Sequence, residues 1–575
     1  MKKTKIILIV LFAALMVPLS CKKGFLNTND TSAFTAGQGF TKSANVIALV
    51  NSIYNTYQSS DLLKKSIWYY ANFETHDFFN NGSDIVWNYY GIGSDFYALP
   101  TFWNNAYIGI NRSNQAIPII KNAIATGVVS ADLGARLEGE AYFLRGLTYY
   151  YLAGTFGGVP LELNPITTGL TPRSTQDQVF AQVVSDMQQA EKLLVSKTAL
   201  SSSDLGRATK GAAYAYEGAA QMWLKNYTAG LAAFNSPELT NNYHLLPNFM
   251  TVGEYSNQNN DESIFEVQFL ITGNQSWGDG WQDGGDEGWI DDFDWPQEIS
   301  GFGYDYANPG LWYSYQAGDL RKAGTILGPG DQNTSQDILT KWGGIKGYAV
   351  VLANYQSNAT TYSDGAGNPI NTCGTVAHPW YGTDGTPRSG YYDAKKWHDP
   401  TLTGANGSGA IFGGQNQILM RYAEVLLDRA ECKIRTGDIT GGEADIKLVR
   451  DRAWGGQGKS PAVMQDGLTW DGKPTQPITD PLQMVYSEYR HELTAEFSTF
   501  YDLRRAGPGV AAAFIQQAYG TAAGNTNQIM YPYGPTADGK THGVWNTALP
   551  ANKDILPIPV SAIGLNPNLN QNPGY

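Results

Sequence analysis

Apolar positions recur with helical period over much of the chain. In 136–153 (RLEGEAYFLRGLTYYYLA), Leu137, Ala141, Leu144, Thr148 and Tyr151 fall near one face, and the run GTFGGVP at 154–160 predicts the stop. The same period over 176–194 sets Val179, Val183, Met187, Ala190 and Leu194 together, and an Ala-rich helix is predicted over 206–224. The period fades over 236–415, where Gly, Asn, Asp and aromatic residues dominate and 262–270 (ESIFEVQFL) is the clearest strand. The rest of that stretch reads as long loops, which in an ordered protein usually carry function. Helices return with 418–436 (ILMRYAEVLLDRAECKIRT), a break at Gly437-Asp438, and 443–453. A further single helix is predicted over 486–505, and 555–575 reads as an extended, Pro-rich closing segment.

Composition sharpens this picture. Only 16% of the 575 residues are charged and 13% are aromatic, which excludes a disordered chain. The formal charge of -13 disfavours a phosphate backbone as ligand, so no nucleic-acid partner is expected. The three cysteines, Cys21, Cys373 and Cys432, form no C-x-x-C pair, which excludes a zinc ribbon or a thioredoxin-type site.

The first twenty residues read as an address. Lys2, Lys3 and Lys5 precede the apolar run from Ile6 to Val17, too short to cross about 30 Å of hydrocarbon, and the pattern is that of a secretory signal. Leu19-Ser20-Cys21 resembles a lipobox, so Cys21 is the expected lipidation site and the mature protein is expected to be anchored to a membrane. Loss of the three signal lysines takes the formal charge from -13 to -16. Lys22 stands where an Asp resembles an inner-membrane retention signal, which favours the outer membrane. Residues 21–35 are expected to be a tether.

Two windows lack Lys and Arg altogether, 66–111 and 226–320. The first holds Trp68, Tyr69, Tyr70, Trp87, Tyr89, Tyr90 and Trp103. The second contains GNQSWGDGWQDGGDEGWIDDFDWPQE at 273–298, with Trp277, Trp281, Trp289 and Trp295 among eight carboxylates. Indoles spaced by Gly and Asp do not make a helix stripe. They suit a rim of flat apolar faces beside hydrogen-bond acceptors, which is what a pyranose needs. Candidate ligand-binding residues are therefore Trp87, Tyr89 and Tyr90 with Asn88 and Asp77, and the four tryptophans of 273–298. Trp68, Tyr69 and Tyr70 are expected in the core.

No cofactor is expected. Asp279-Gly280-Trp281-Gln282-Asp283-Gly284 resembles an EF-hand start, but Trp281 and Ile290 stand at ligand positions, leaving an irregular structural Ca²⁺ site as the open alternative. Enzyme motifs fail: Ala495 stands where a second zincin His would be, and no G-x-S-x-G exists, so no catalytic residue and no metal ligand is assigned.

The helix pairs resemble tetratricopeptide hairpins, with a repeat of about 34 residues. In order along the chain stand Cys21-Lys22-Lys23-Gly24-Phe25-Leu26; WNNAYIGINRSN at 103–114; 140–160, with Arg145 and Gly146 in an A-x-F-L-R-A-like stretch; Gly206-Arg207-Ala208-Thr209-Lys210; Arg421-Tyr422-Ala423-Glu424 with Glu431; 488–505, where Tyr489 departs from an E-R-x-x-E-L pattern; and 566–575. Together they resemble the SusD-like (RagB/SusD) family of nutrient-binding outer-membrane lipoproteins. The resemblance implies a mainly α fold, with tetratricopeptide-type hairpins on one side and a loop-rich ligand face with a few short strands on the other. It implies one domain over 21–575, in parts 36–235, 236–415 and 416–575. It also implies a TonB-dependent SusC-like transporter as partner and cell-surface exposure; the ligand does not follow from it, and the aromatic windows point to capture of an oligosaccharide without catalysis. A peptide ligand and a glycoside hydrolase are the alternatives. Arg421, Glu424, Glu431, Glu492 and Arg504 are expected to form helix-to-helix ion pairs.

Overall fold

The computed structural model describes residues 39–59, 62–80, 84–270, 305–326, 414–468, 474–519 and 548–575, and the backbone of two short strand pairs, Tyr362–Ser363 with Pro369–Ile370 and Ile529–Met530 with Gly543–Val544. Cys21, Trp277, Trp281, Trp289, Trp295 and Cys373 lie outside the described residues.

The protein is mainly helical. The longer helices are α1 (Ser43–Tyr54), α3 (Ala98–Ala125), α4 (Ala131–Phe156), α5 (Gln176–Leu193), α6 (Lys210–Trp223), α7 (Tyr227–Phe234), α9 (Tyr422–Arg435), α10 (Ile439–Ala453), α11 (Pro481–Leu493), α12 (Thr499–Ala506) and α13 (Val510–Tyr519). Two short ones are α2 (Tyr69–Asn72), entered through a π-helical turn Leu63–Trp68, and α8 (Pro309–Ser314). Successive helices pack as antiparallel hairpins, α3 on α4, α4 on α5, α5 on α6, α6 on α7 and α9 on α10.

Helix starts follow the local chemistry. Thr175 and Gln178 form a capping box at α5, Thr209 accepts from the Ala212 N–H at α6, and Asp438 accepts from the Gly441 N–H at α10. α4 is the axis of the core. Its predicted face, Leu137, Ala141, Leu144, Thr148 and Tyr151, is buried, and so is nearly everything else from Leu137 to Phe156. It approaches α12 closely at Gly154, where a Cβ would stand 2.7 Å from the Tyr501 ring.

Two predicted elements are corrected. Residues Gln417–Arg421 do not open a helix. They form β4, antiparallel to β2 (Ser263–Val267), with Ile418, Leu419 and Met420 buried. An apolar run this short fits either period, and pairing with β2 decides it. The predicted helix 486–505 is two helices, α11 and α12, parted where Ala495 takes φ +68°. Neither Gly nor Pro marks that break. The closing segment is extended except for a short helix, Val560–Leu565. Gln571 bonds both the N–H and the C=O of Ile558, and the Asn572 amide donates to Phe156 O at 3.0 Å.

The expected helix-to-helix ion pairs are present at Arg421, Glu431 and Glu492 but not at Arg504, whose carboxylate partner is Asp554 outside any helix at 3.9 Å, nor at Glu424. Arg421 binds Glu496 at 2.7 Å and also Glu262 and Glu492, while Glu492 takes Arg452 and Arg321 as well. Burial alone would push the Glu492 carboxyl up, but the three guanidiniums hold it well below the usual carboxylate range. Glu431 pairs with Arg435 at 2.6 Å and Arg505 at 3.3 Å, and Arg504 donates to the Tyr70 hydroxyl at 2.7 Å. Glu424 is buried on α9 with no ion pair among the described residues.

Candidate functional site

The segment 73–97 turns back on itself without long regular structure, and polar groups inside it hold its shape. β1 (Phe78–Asn80) pairs antiparallel with β3 (Asp305–Ala307). The Asn88 side chain accepts from Asn80 N at 3.0 Å and donates to Asn80 O at 2.7 Å, so one amide fixes an eight-residue loop. Asn80 donates to Asp305 at 2.6 Å, and Asp305 lies 3.5 Å from the Lys64 ammonium. Below the loop, Asp77 receives Arg490 at 2.8 Å and the Tyr519 hydroxyl, which ties the segment to α11 and α13. Asn308 at the start of α8 accepts from Gly310 N and donates to His76 O at 2.9 Å.

His76 takes φ +62° and stacks on Tyr90, with centroids 4.9 Å apart. Neither of its ring nitrogens has a hydrogen-bond partner, and burial lowers its pKa to about 4, so it is neutral at pH 7.

These placements correct part of the expected ligand set. Trp87 is fully buried, edge-on to Tyr69 and Phe96 with centroids 6.1 and 5.9 Å away. Tyr90 is buried on His76, with its hydroxyl donating to Glu74 O at 3.2 Å. Asn88 and Asp77 are committed to the loop's own bonds. In this arrangement the four residues build the segment and present no free face. A window without Lys or Arg marks an unusual region, but it does not tell inward from outward side chains.

Tyr89 differs. It lies at the end of a 3₁₀ turn, Ile85–Tyr89, and its side chain is 37% exposed. Tyr97, 44% exposed, and half-buried Phe96 follow on the same segment, their ring centroids 4.8 Å apart. The Tyr97 hydroxyl donates to Asp84 at 2.8 Å, and the Lys65 ammonium stands 5.0 Å from its ring. Burial raises the Asp84 carboxyl, against Lys65 and the Tyr97 bond. Phe96 and Tyr97 were not singled out above, although both lie in the first Lys/Arg-free window. Exposed Tyr89 and Tyr97, with half-buried Phe96, therefore give the segment an aromatic rim, carried on a frame of side-chain amides and the buried pairs Lys64–Asp305 and Asp77–Arg490. Such a rim offers flat apolar faces with few competing charges.

Two clefts lie elsewhere among the described residues. One, of about 280 Å³, lies between α1, Arg207 and β2. Its polar groups bond one another, as Gln58 does to Gln268 O and Arg207 to Glu140. The other, of about 690 Å³, is lined by Trp103, Tyr107, Ile108, Pro160 and Leu565.

The SusD family model matches residues 252–575, and a second model, described as starch-binding associating with outer membrane, matches 16–224. The chain belongs to the SusD family, whose members are associated with the outer membrane. It is 25% identical to SusD-like protein P2 of Formosa agariphila over the whole length of both chains. A SusD-like protein of Bacteroides fragilis has the same fold at 19% identity, with TM-score 0.68 over 93% of this chain and 98% of that one. Surface glycan-binding protein A of Bacteroides thetaiotaomicron, solved with laminarihexaose, is similar at 18% identity, TM-score 0.63, over 92% and 99%. No helix among the described residues is long and apolar enough to cross a membrane.

Proposed function

We propose that this protein captures an oligosaccharide at the bacterial surface and passes it to a TonB-dependent, SusC-like transporter, without catalysing a reaction on it. The observation that carries this reading is the rim of exposed Tyr89 and Tyr97 with half-buried Phe96. A pyranose stacks its C–H face on such rings and turns its hydroxyls to neighbouring amides and carboxylates. Trp277, Trp281, Trp289 and Trp295, with their interleaved acids, complete the surface in this reading. The family and the relative crystallised with laminarihexaose support a carbohydrate rather than a peptide. Lipid on Cys21 holds the protein at the membrane and raises its effective concentration beside the transporter. A structural Ca²⁺ among the acids of 273–298 belongs to the same reading.

Isothermal titration with laminarihexaose, other neutral oligosaccharides and a tryptic peptide mixture tests it. At least one oligosaccharide binds, Tyr89→Ala and Trp281→Ala each weaken that binding, and no reducing sugar is released. Binding of peptides alone, or full affinity in both variants, overturns the reading or its site.

A further inference from the structure

A second buried cluster lies between α4, α6, α9 and α12, away from the rim. Glu424, Asp428 and Asp502 are all buried, and one carboxylate oxygen from each lies within 4.8 Å of the others. Asp428 spends one oxygen on Tyr489 and Arg505, each at 2.7 Å, and its second oxygen has no hydrogen-bond partner. Neither oxygen of Asp502 has one, the nearest guanidinium nitrogen of Arg505 being 3.3 Å away.

Three neutral side chains around the acids are also unsatisfied. The hydroxyls of Ser498, Thr499 and Tyr216 are buried without a partner. Ser498 precedes α12 with its hydroxyl beside Asp502, and Tyr216 lies near Tyr151 and within the field of Glu424. Orphaned buried oxygens converging from three helices are costly unless something occupies the space between them.

The charge around them does not close. Glu424, Asp428, Glu431 and Asp502 are four carboxylates; Arg505 and, at the edge, Arg435 offset two. Lys225 gives its ammonium to the Arg505 carbonyl, not to a carboxylate. With all four ionised, two negative charges would remain without a partner, in a site whose free ligands are all oxygen. Two oxygens on opposite sides of Ca²⁺ stand roughly 4.8 Å apart, twice the Ca–O distance of about 2.4 Å. Mg²⁺ requires a tighter octahedron.

We infer that Glu424, Asp428 and Asp502 bind a divalent cation, Ca²⁺ first, which fastens the C-terminal helices α9 and α12 to α4 and α6. The ion balances the two remaining charges, and the Ser498 and Tyr216 hydroxyls extend its oxygen shell. None of the acids of 273–298 belongs to this set of ligands.

Elemental analysis of the purified full chain, before and after EGTA, tests the inference together with thermal unfolding in Ca²⁺ and in Mg²⁺. The expected result is one tightly held Ca²⁺ per chain at this site, its loss in EGTA, and recovery of the melting temperature by about 5 °C on adding Ca²⁺ back. Mg²⁺ should restore less. Asp502→Asn and the isosteric Glu424→Gln should each lose that equivalent and the Ca²⁺ response, yet melt in EGTA no lower than the untreated sequence does in EGTA. The inference is overturned if no divalent ion is retained or rebound. It is equally overturned if both variants keep the ion while Asp279→Asn with Asp283→Asn removes it.

Discussion

The interior of α9–α12 and the segment 73–97 are both built from groups that do not belong in an oily core, yet they solve the problem oppositely. In the first, the charges are inside: Arg421, Arg452 and Arg321 converge on Glu492, and Arg421 also binds Glu262 and Glu496. In the second, Asn80, Asn88 and Asn308 close the backbone, and the ion pairs Asp77–Arg490 and Lys64–Asp305 tie it down. Charge fixes where helices lie against one another. Amides fix the path of an irregular backbone and leave its aromatic residues free to face outward.

Removing one partner should hurt the charged region most. Arg421→Met leaves Glu262, Glu492 and Glu496 short of a cation and should cost about 4 kcal/mol in urea unfolding. Adding Glu492→Gln to it should recover part of that loss. In the segment 73–97 the inner and outer aromatics should separate just as cleanly. Trp87→Ala opens a cavity beside Tyr69, Phe73 and Phe96 and should cost about 3 kcal/mol or more. A stability change as small as that of a surface substitution would mean that Trp87 is not the packing centre of the segment.

His76 gives an intermediate effect with a definite sign. Its folded pKa, about 4, lies below the ordinary 6.5, so on acidification the unfolded chain takes up the proton first and stability falls. Between pH 7 and pH 5 the natural sequence should lose about 2 kcal/mol more than His76→Phe, which keeps the stack on Tyr90 but cannot titrate. Parallel pH curves for the two would show that His76 is not shielded from water. The smallest effect on folding is expected at Tyr89→Ala, within about 0.5 kcal/mol, while oligosaccharide affinity should drop roughly fivefold. Two residues, 87 and 89, then carry opposite halves of the contrast.

Much of this architecture was legible along the chain, and the failures are specific. α4 and α5 could be read because period and capping agree, as Thr175 with Gln178 and Val179, Val183 and Met187 show. β4 was missed because Ile418, Leu419 and Met420 satisfy helix and strand alike until β2 is known to lie beside them. The gap between α11 and α12 was missed because Ala495 adopts a left-handed backbone with no Gly to announce it. In the first window, the absence of Lys and Arg marked an aromatic segment but did not tell buried Trp87 from outward Tyr97. Which ring turns outward depends on Asn80 and Asn88, whose mutual bonds no periodicity encodes. The lone carboxylate of Glu424 was likewise invisible, since its spacing on α9 matches that of paired residues.

The loop's anchors carry a consequence for how the chain acquires its shape. The Trp68 indole donates to Ala495 O across 427 positions, and Asp77 meets Arg490 across 413. Contacts of such separation form slowly, because the intervening chain must be ordered first. A polypeptide that emerges from its N-terminus holds residues 68–97 without their supports until α11 has been made. The aromatic rim, early in the order of synthesis, is therefore late in the order of folding. A chain stalled before residue 490 has the helices of its first half and the local bonds of Asn80 and Asn88, but not the anchor of Asp77 that ties Tyr89 and Tyr97 to the body.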